Sequence, residues 1–140
     1  MKRVYFCTSC GATLNPSVKV ILTAVKDGKG GLILLSPQPG NYEVISAEEL
    51  ALRTGDRLDL RCPVCSRTLI SRVNDNLAEL GFRLTNGMEG HAYFSRRYGE
   101  HATFFITKEE VRTYGENADV YSNLNFFGAG QVETPPTGSE

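Results

Sequence analysis

The sequence has no excess of charge of either sign: 15 Lys and Arg face 16 Asp and Glu, interspersed, for a formal net charge of −1. No long-range field therefore draws the chain to phosphate backbones or anionic lipid. Long hydrophobic runs are missing too. Val18 to Val25 and Leu32 to Leu35 fall far short of the roughly 18 residues that span a bilayer. Behind basic Lys2 and Arg3 only Val4, Tyr5 and Phe6 are apolar, where a secretory signal needs roughly 7 to 15 such residues. The expectation is a soluble, cytoplasmic protein whose thiols stay reduced. Catalytic motifs are lacking as well. Lys26 to Gly31 has lysine and glycines without P-loop spacing or a following helix, and no nucleophile, base and orienting acid fall in a known pattern, so no enzyme is expected.

The 140 residues suit one domain, placed at 1–127. The small, polar stretch 128–140 is expected to be a flexible tail. Val18 to Val25 and Gly31 to Leu35 flank the turn-forming Lys26-Asp27-Gly28-Lys29-Gly30 and predict a β-hairpin. Short strands are expected at Tyr42 to Ile45, Arg57 to Arg61, Thr68 to Val73, Gly81 to Thr85 and Tyr121 to Phe127. Ser46-Ala47-Glu48-Glu49 and Thr107-Lys108-Glu109-Glu110 have the form of capping boxes and predict two short helices, ending at Thr54 to Asp56 and at Gly115. His91 to Thr107 predicts an aromatic hairpin turning at Tyr98-Gly99-Glu100. Its expected register sets Phe94 opposite Phe104, Ala92 opposite Ile106 and Tyr93 opposite Phe105, with aromatics on both faces, as suits a central strand or an interface. The expected class is α+β, mainly antiparallel β.

Chemistry concentrates in the four cysteines. Cys7-Thr8-Ser9-Cys10-Gly11 and Cys62-Pro63-Val64-Cys65-Ser66 share one spacing. Two cysteines three apart on a tight turn aim both sulfurs at one ion while backbone amides hydrogen-bond the thiolates, and two such turns make a tetrahedral set. These motifs resemble the zinc-ribbon and rubredoxin-like group, whose paired knuckles match Cys7, Cys10 and Gly11 and Cys62, Pro63 and Cys65; Ser66 stands where glycine is usual. The resemblance covers little more than these residues. It implies a structural Zn2+ held by Cys7, Cys10, Cys62 and Cys65, with residues 11–61 forming a long β insertion where a compact ribbon has roughly 15 to 20 residues. Disulfides within each pair are disfavoured by a reducing compartment and by very short loops. A thioredoxin-like redox site needs one such pair at a helix start. Iron uses the same four sulfurs and stays open. Such a closed site leaves zinc no open position for substrate.

Among other residues, His91 and His101 each lie near a glycine and an acid, Glu89 and Glu100. The hairpin register sets them about six strand residues, roughly 20 Å, apart, so a joint role is not expected. Arg96 and Arg97, adjacent on a strand, point to opposite faces and make no single patch. The expected function is a structural-zinc binding or adaptor module that engages a protein partner, including a second copy of itself, through the Tyr93 to Phe105 aromatics. One alternative is a nucleic-acid-binding zinc ribbon using Lys2, Arg3, Arg67, Arg72 and Arg96 or Arg97; another is a rubredoxin-like electron carrier.

Overall fold

A computed structural model describes residues 3–108, 110–121 and 124. The α+β expectation does not hold: the described residues are 44 % strand and 6 % helical, with no helix of seven residues or more among them, and they build two antiparallel sheets. One sheet has the order β4-β3-β2-β5, from Val44–Ser46 (β4), Lys29–Leu35 (β3), Val20–Lys26 (β2) and Asp59–Arg61 (β5). The other has the order β1-β6-β7-β8-β9, from Arg3–Phe6 (β1), Leu77–Leu84 (β6), Glu89–Ser95 (β7), Thr103–Ile106 (β8) and Val111–Tyr114 (β9).

Alternation explains the layering. In β2, Val20, Leu22 and Ala24 are buried while Ile21, Thr23 and Val25 are half-buried, the period-2 pattern of a strand with one face inward. That face shares a core with Leu80, Phe82, Ala92 and Phe105 of the larger sheet. The larger sheet is buried on its other face as well, where Leu77, Tyr93, Phe104 and Ile106 pack with Val73, Ala118 and Tyr121. Burial on both faces is why the six successive residues Leu77 to Phe82 of β6 are all buried.

The β2–β3 hairpin forms as expected around Asp27 and Gly28, both at positive φ (53° and 78°). This two-residue turn matches the strand twist, and Gly28 enters the left-handed region without a Cβ clash. Both predicted helices fail. Ser46 is taken into β4 opposite Ile33, so its hydroxyl caps nothing. Only a single 3-10 turn, Glu48–Leu50, follows before Ala51 leaves the helical region at φ 46°. At the second site Thr107 Oγ1 does accept the Glu110 N–H (3.3 Å), half of a capping box. The Thr107 N–H in turn donates to the Glu110 carbonyl (3.0 Å), which closes a hairpin into β9, whose valine, threonine and tyrosine favour a strand. Thr68 to Val73 contributes isolated bridges rather than a strand. Ala118–Tyr121 is a 3-10 helix, so the strand expected from Tyr121 is not formed at its start; its residues 122, 123 and 125–127, the segment 128–140 and Lys2 lie outside the described residues.

The aromatic hairpin forms one residue out of the expected register. Phe94 faces Thr103, Tyr93 faces Phe104 and Ala92 faces Phe105. The Glu100 N–H donates to the Arg97 carbonyl (3.0 Å), so the turn is centred between Tyr98 and Gly99 instead of on Gly99. A one-residue slip exchanges the faces, sending Phe105 to the core between the sheets and Phe104 to the opposite side.

Candidate metal centre

The four cysteine sulfurs lie within 4.8 Å of one another. Cys7 Sγ is 3.8 Å from Cys65 Sγ, and Cys10 Sγ is 3.7 Å from Cys62 Sγ. A tetrahedral ion with metal–sulfur bonds of about 2.3 Å needs sulfur–sulfur edges of about 3.8 Å, so the donor set fits a metal ion. The close pairs join one knuckle to the other, not the two cysteines within a motif.

Each knuckle is a small hairpin, and the two repeat one another over residues 5–14 and 60–69. The Cys7 N–H donates to the Ala12 carbonyl (3.0 Å) and Cys62 to Arg67 (3.1 Å); Gly11 closes back on the Cys7 carbonyl (2.9 Å) and Ser66 on Cys62 (2.9 Å). The Ser9 N–H donates to Cys7 Sγ (3.4 Å) and the Val64 N–H to Cys62 Sγ (3.4 Å). Bridges Phe6–Thr13 and Arg61–Thr68 follow at the same step. Gly11 and Ser66 both turn left-handed, at φ 79° and 65°, so serine adopts the geometry that the motif ordinarily assigns to glycine. The repeat is visible in the sequence as a Thr-Leu pair after each motif, Thr13-Leu14 and Thr68-Leu69, a signal that attention to the cysteines alone passes over.

Each hairpin also crosses between the layers. The first leaves β1 of the larger sheet, and its return strand receives the Ile21 N–H of β2 at the Leu14 carbonyl (2.7 Å). The second leaves β5 of the smaller sheet, and its return strand receives the Glu79 N–H of β6 at the Leu69 carbonyl (3.0 Å). An ion between the knuckles therefore ties both sheets together. Cys7 and Cys62 are fully buried while Cys10 and Cys65 are exposed, so the centre sits at the surface with its back to the core.

Without metal the thiols divide sharply. Burial works to raise the Cys62 thiol, but the Cys65 and Val64 amides and the neighbouring cysteines outweigh it and bring the thiol down to about 7. At Cys10 the Ala12 amide works to lower the thiol, and desolvation with the Cys62, Cys65 and Cys7 sulfurs pushes it up to about 11. The second knuckle is thus the one poised to carry the first thiolate.

The two histidines are held apart, as the sequence implies, but by acids it does not single out. His91 Nδ1 meets Glu79 Oε2 at 2.8 Å, across the face where Glu79 is buried beside Tyr93. Burial and the Glu79 charge push the Tyr93 hydroxyl up to about 12. His101 Nδ1 meets Glu116 at 3.4 Å and stacks on Tyr42, ring centroids 4.4 Å apart. A carboxylate inside the apolar run Leu77-Ala78-Glu79-Leu80 was the available signal for the first pair. Arg96 donates to the Leu58 and Asp75 carbonyls and Arg97 to Gly55, and Arg3 lies over the Phe105 ring. Among the described residues no helix is long and apolar enough to cross a membrane. No family model, curated protein or solved structure matches the chain.

Proposed function

We propose that the four cysteines hold a structural zinc ion and that the domain is a non-catalytic module engaging a protein partner. The observation that carries the metal reading is the pair of 3.7–3.8 Å contacts between knuckles whose thiolates already accept backbone N–H groups. A four-sulfur set leaves no coordination position for substrate, so the ion's work is to brace the sheets. The aromatic hairpin does not supply the contact surface, since Tyr93, Phe104 and Phe105 are in the cores. The outer face of the smaller sheet does, with Leu32 and Ile45 each 55 % exposed on a chain of near-neutral charge. Three of the arginines invoked for nucleic acid, Arg3, Arg96 and Arg97, are engaged within the protein, which speaks against that alternative.

Iron in the same sulfurs is favoured by one observation, the exposure of Cys10 and Cys65 that brings the ion close to solvent, as electron transfer between proteins requires. Elemental analysis of the purified full chain tests both readings. Zinc at one equivalent, with a colourless protein, is the expected result; iron with visible thiolate-to-metal absorption establishes the electron carrier instead. For the partner, Leu32→Glu with Ile45→Glu should abolish association with a co-purifying protein at unchanged melting temperature. Salt-sensitive binding of RNA or DNA would replace the protein reading.

A further inference from the structure

Between the two sheets lies a cavity of about 350 Å³, walled by Ile33, Leu60, Leu80, Ala92, Phe94 and Phe105. Its mouth is formed by segments 36–44 and 95–103. The volume is within the range of small-molecule sites. It is more than twice the roughly 150 Å³ of an apolar cavity that takes up one benzene ring, so it has room for a larger ring system. Aromatic side chains recur along its walls, with Tyr5 and Phe105 buried and Phe94, Tyr42 and Tyr98 half-buried; such walls favour edge-to-face contact with a flat guest.

The mouth decides the guest's charge. Arg96 and Arg97 line it together with Glu43 and Glu100. Arg96 is engaged by the Leu58 and Asp75 carbonyls, and Glu100 accepts from Ser95 (2.5 Å), Tyr121 and Asn76. Two arginines and two glutamates leave no excess of one sign there to select an ion, and taking a charge into apolar walls without a partner is costly. The Tyr42 and Thr103 hydroxyls, 2.9 Å apart, share one hydrogen between them, which leaves the pair a further proton and lone pairs for a hydroxyl or carbonyl at the opening.

We propose that this cavity binds an uncharged aromatic molecule of two or three fused rings, its one hydrogen-bonding group at the Tyr42–Thr103 pair. The site is separate from the cysteines and does not depend on which metal they hold.

The test is calorimetric titration of the metal-replete full chain with 1-naphthol, together with amide chemical-shift mapping. The expected result is saturable one-to-one binding with shifts at Ile33, Phe94 and Phe105. 1-Naphthoate, the same rings bearing a charge, should bind at least about tenfold more weakly. Ala92→Leu, which fills the floor, and Leu35→Phe, which narrows the approach, should each weaken naphthol by about tenfold or more, with folding of both verified by thermal unfolding. Absence of saturation, shifts confined to Leu32 and Ile45 on the outer face, or naphthoate binding as tightly as naphthol would overturn the assignment. The map on the unmodified protein decides even if both variants fail to fold.

Discussion

The two knuckles perform the same turn with different residues. Residues 5–14 and 60–69 share their backbone hydrogen bonds, their bridges and a buried leucine at the same step, Leu14 and Leu69. They differ where the turn is tightest, glycine at 11 and serine at 66, and in sulfur solvation, since Cys62 Sγ accepts two amides, from Val64 and Cys65, where Cys7 Sγ accepts Ser9. The difference teaches that the hydrogen-bond pattern and the convergence of sulfurs define the motif. The residue after the second cysteine only tunes how much strain it holds.

The strongest way to break this equivalence is to remove a ligand from either side. Cys7→Ser and Cys62→Ser should cost the same, because one ion needs both hairpins: metal content falls to near zero and stability drops by several kcal/mol, against the roughly 10 to 16 kcal/mol apparent binding energy of structural zinc. Elemental analysis and thermal unfolding check this, and retention of full metal by either variant would show that the knuckles do not share an ion. Acid gives the next largest effect. Metal needs thiolates, so protons compete increasingly as pH falls through about 7, the value at Cys62. Metal release followed with a chromophoric chelator should steepen below that pH, and release that is indifferent to pH across this range would overturn the assignment.

The glycine–serine difference sharpens the comparison directly. Gly11→Ala should destabilise by about 1 kcal/mol and Ser66→Gly should stabilise by up to about as much, since a side chain at positive φ is strained in one knuckle and absent in the other. Denaturant melts of the metal-loaded protein measure both, and equal effects of the same sign would dissolve the distinction. Smallest, and away from both knuckles, is His91. Its hydrogen bond to Glu79 raises its pKa against the opposing effect of burial. The resulting stability is fully present below the ordinary value of 6.5 and is lost as pH rises through the elevated one. His91→Gln should flatten stability against pH in that interval; an unchanged profile would mean that the pair contributes nothing.

What could be read from the sequence follows from how local the cause is. The Asp27-Gly28 turn and the cysteine spacing are set by residues next to one another, so the β2–β3 hairpin and the convergence of four sulfurs were both legible. The capping boxes were not decisive because tertiary pairing took Ser46 into β4 and turned the chain after Thr107 into β9. The register of Phe94 depended on which two residues centre a turn, a shift too small for composition to reveal. The pairing of Glu79 with His91 required knowing that β6 and β7 are neighbours.

The crossing of each knuckle hairpin from one layer to the other has a mechanical consequence. An ion held by the four sulfurs would act as a rivet through two plates: it would hold them in contact while the ladders give each plate its own rigidity. Extracting it should leave strand content intact and let the layers part, so hydrogen exchange would quicken first at Ile21 and Glu79, whose amides span the seam.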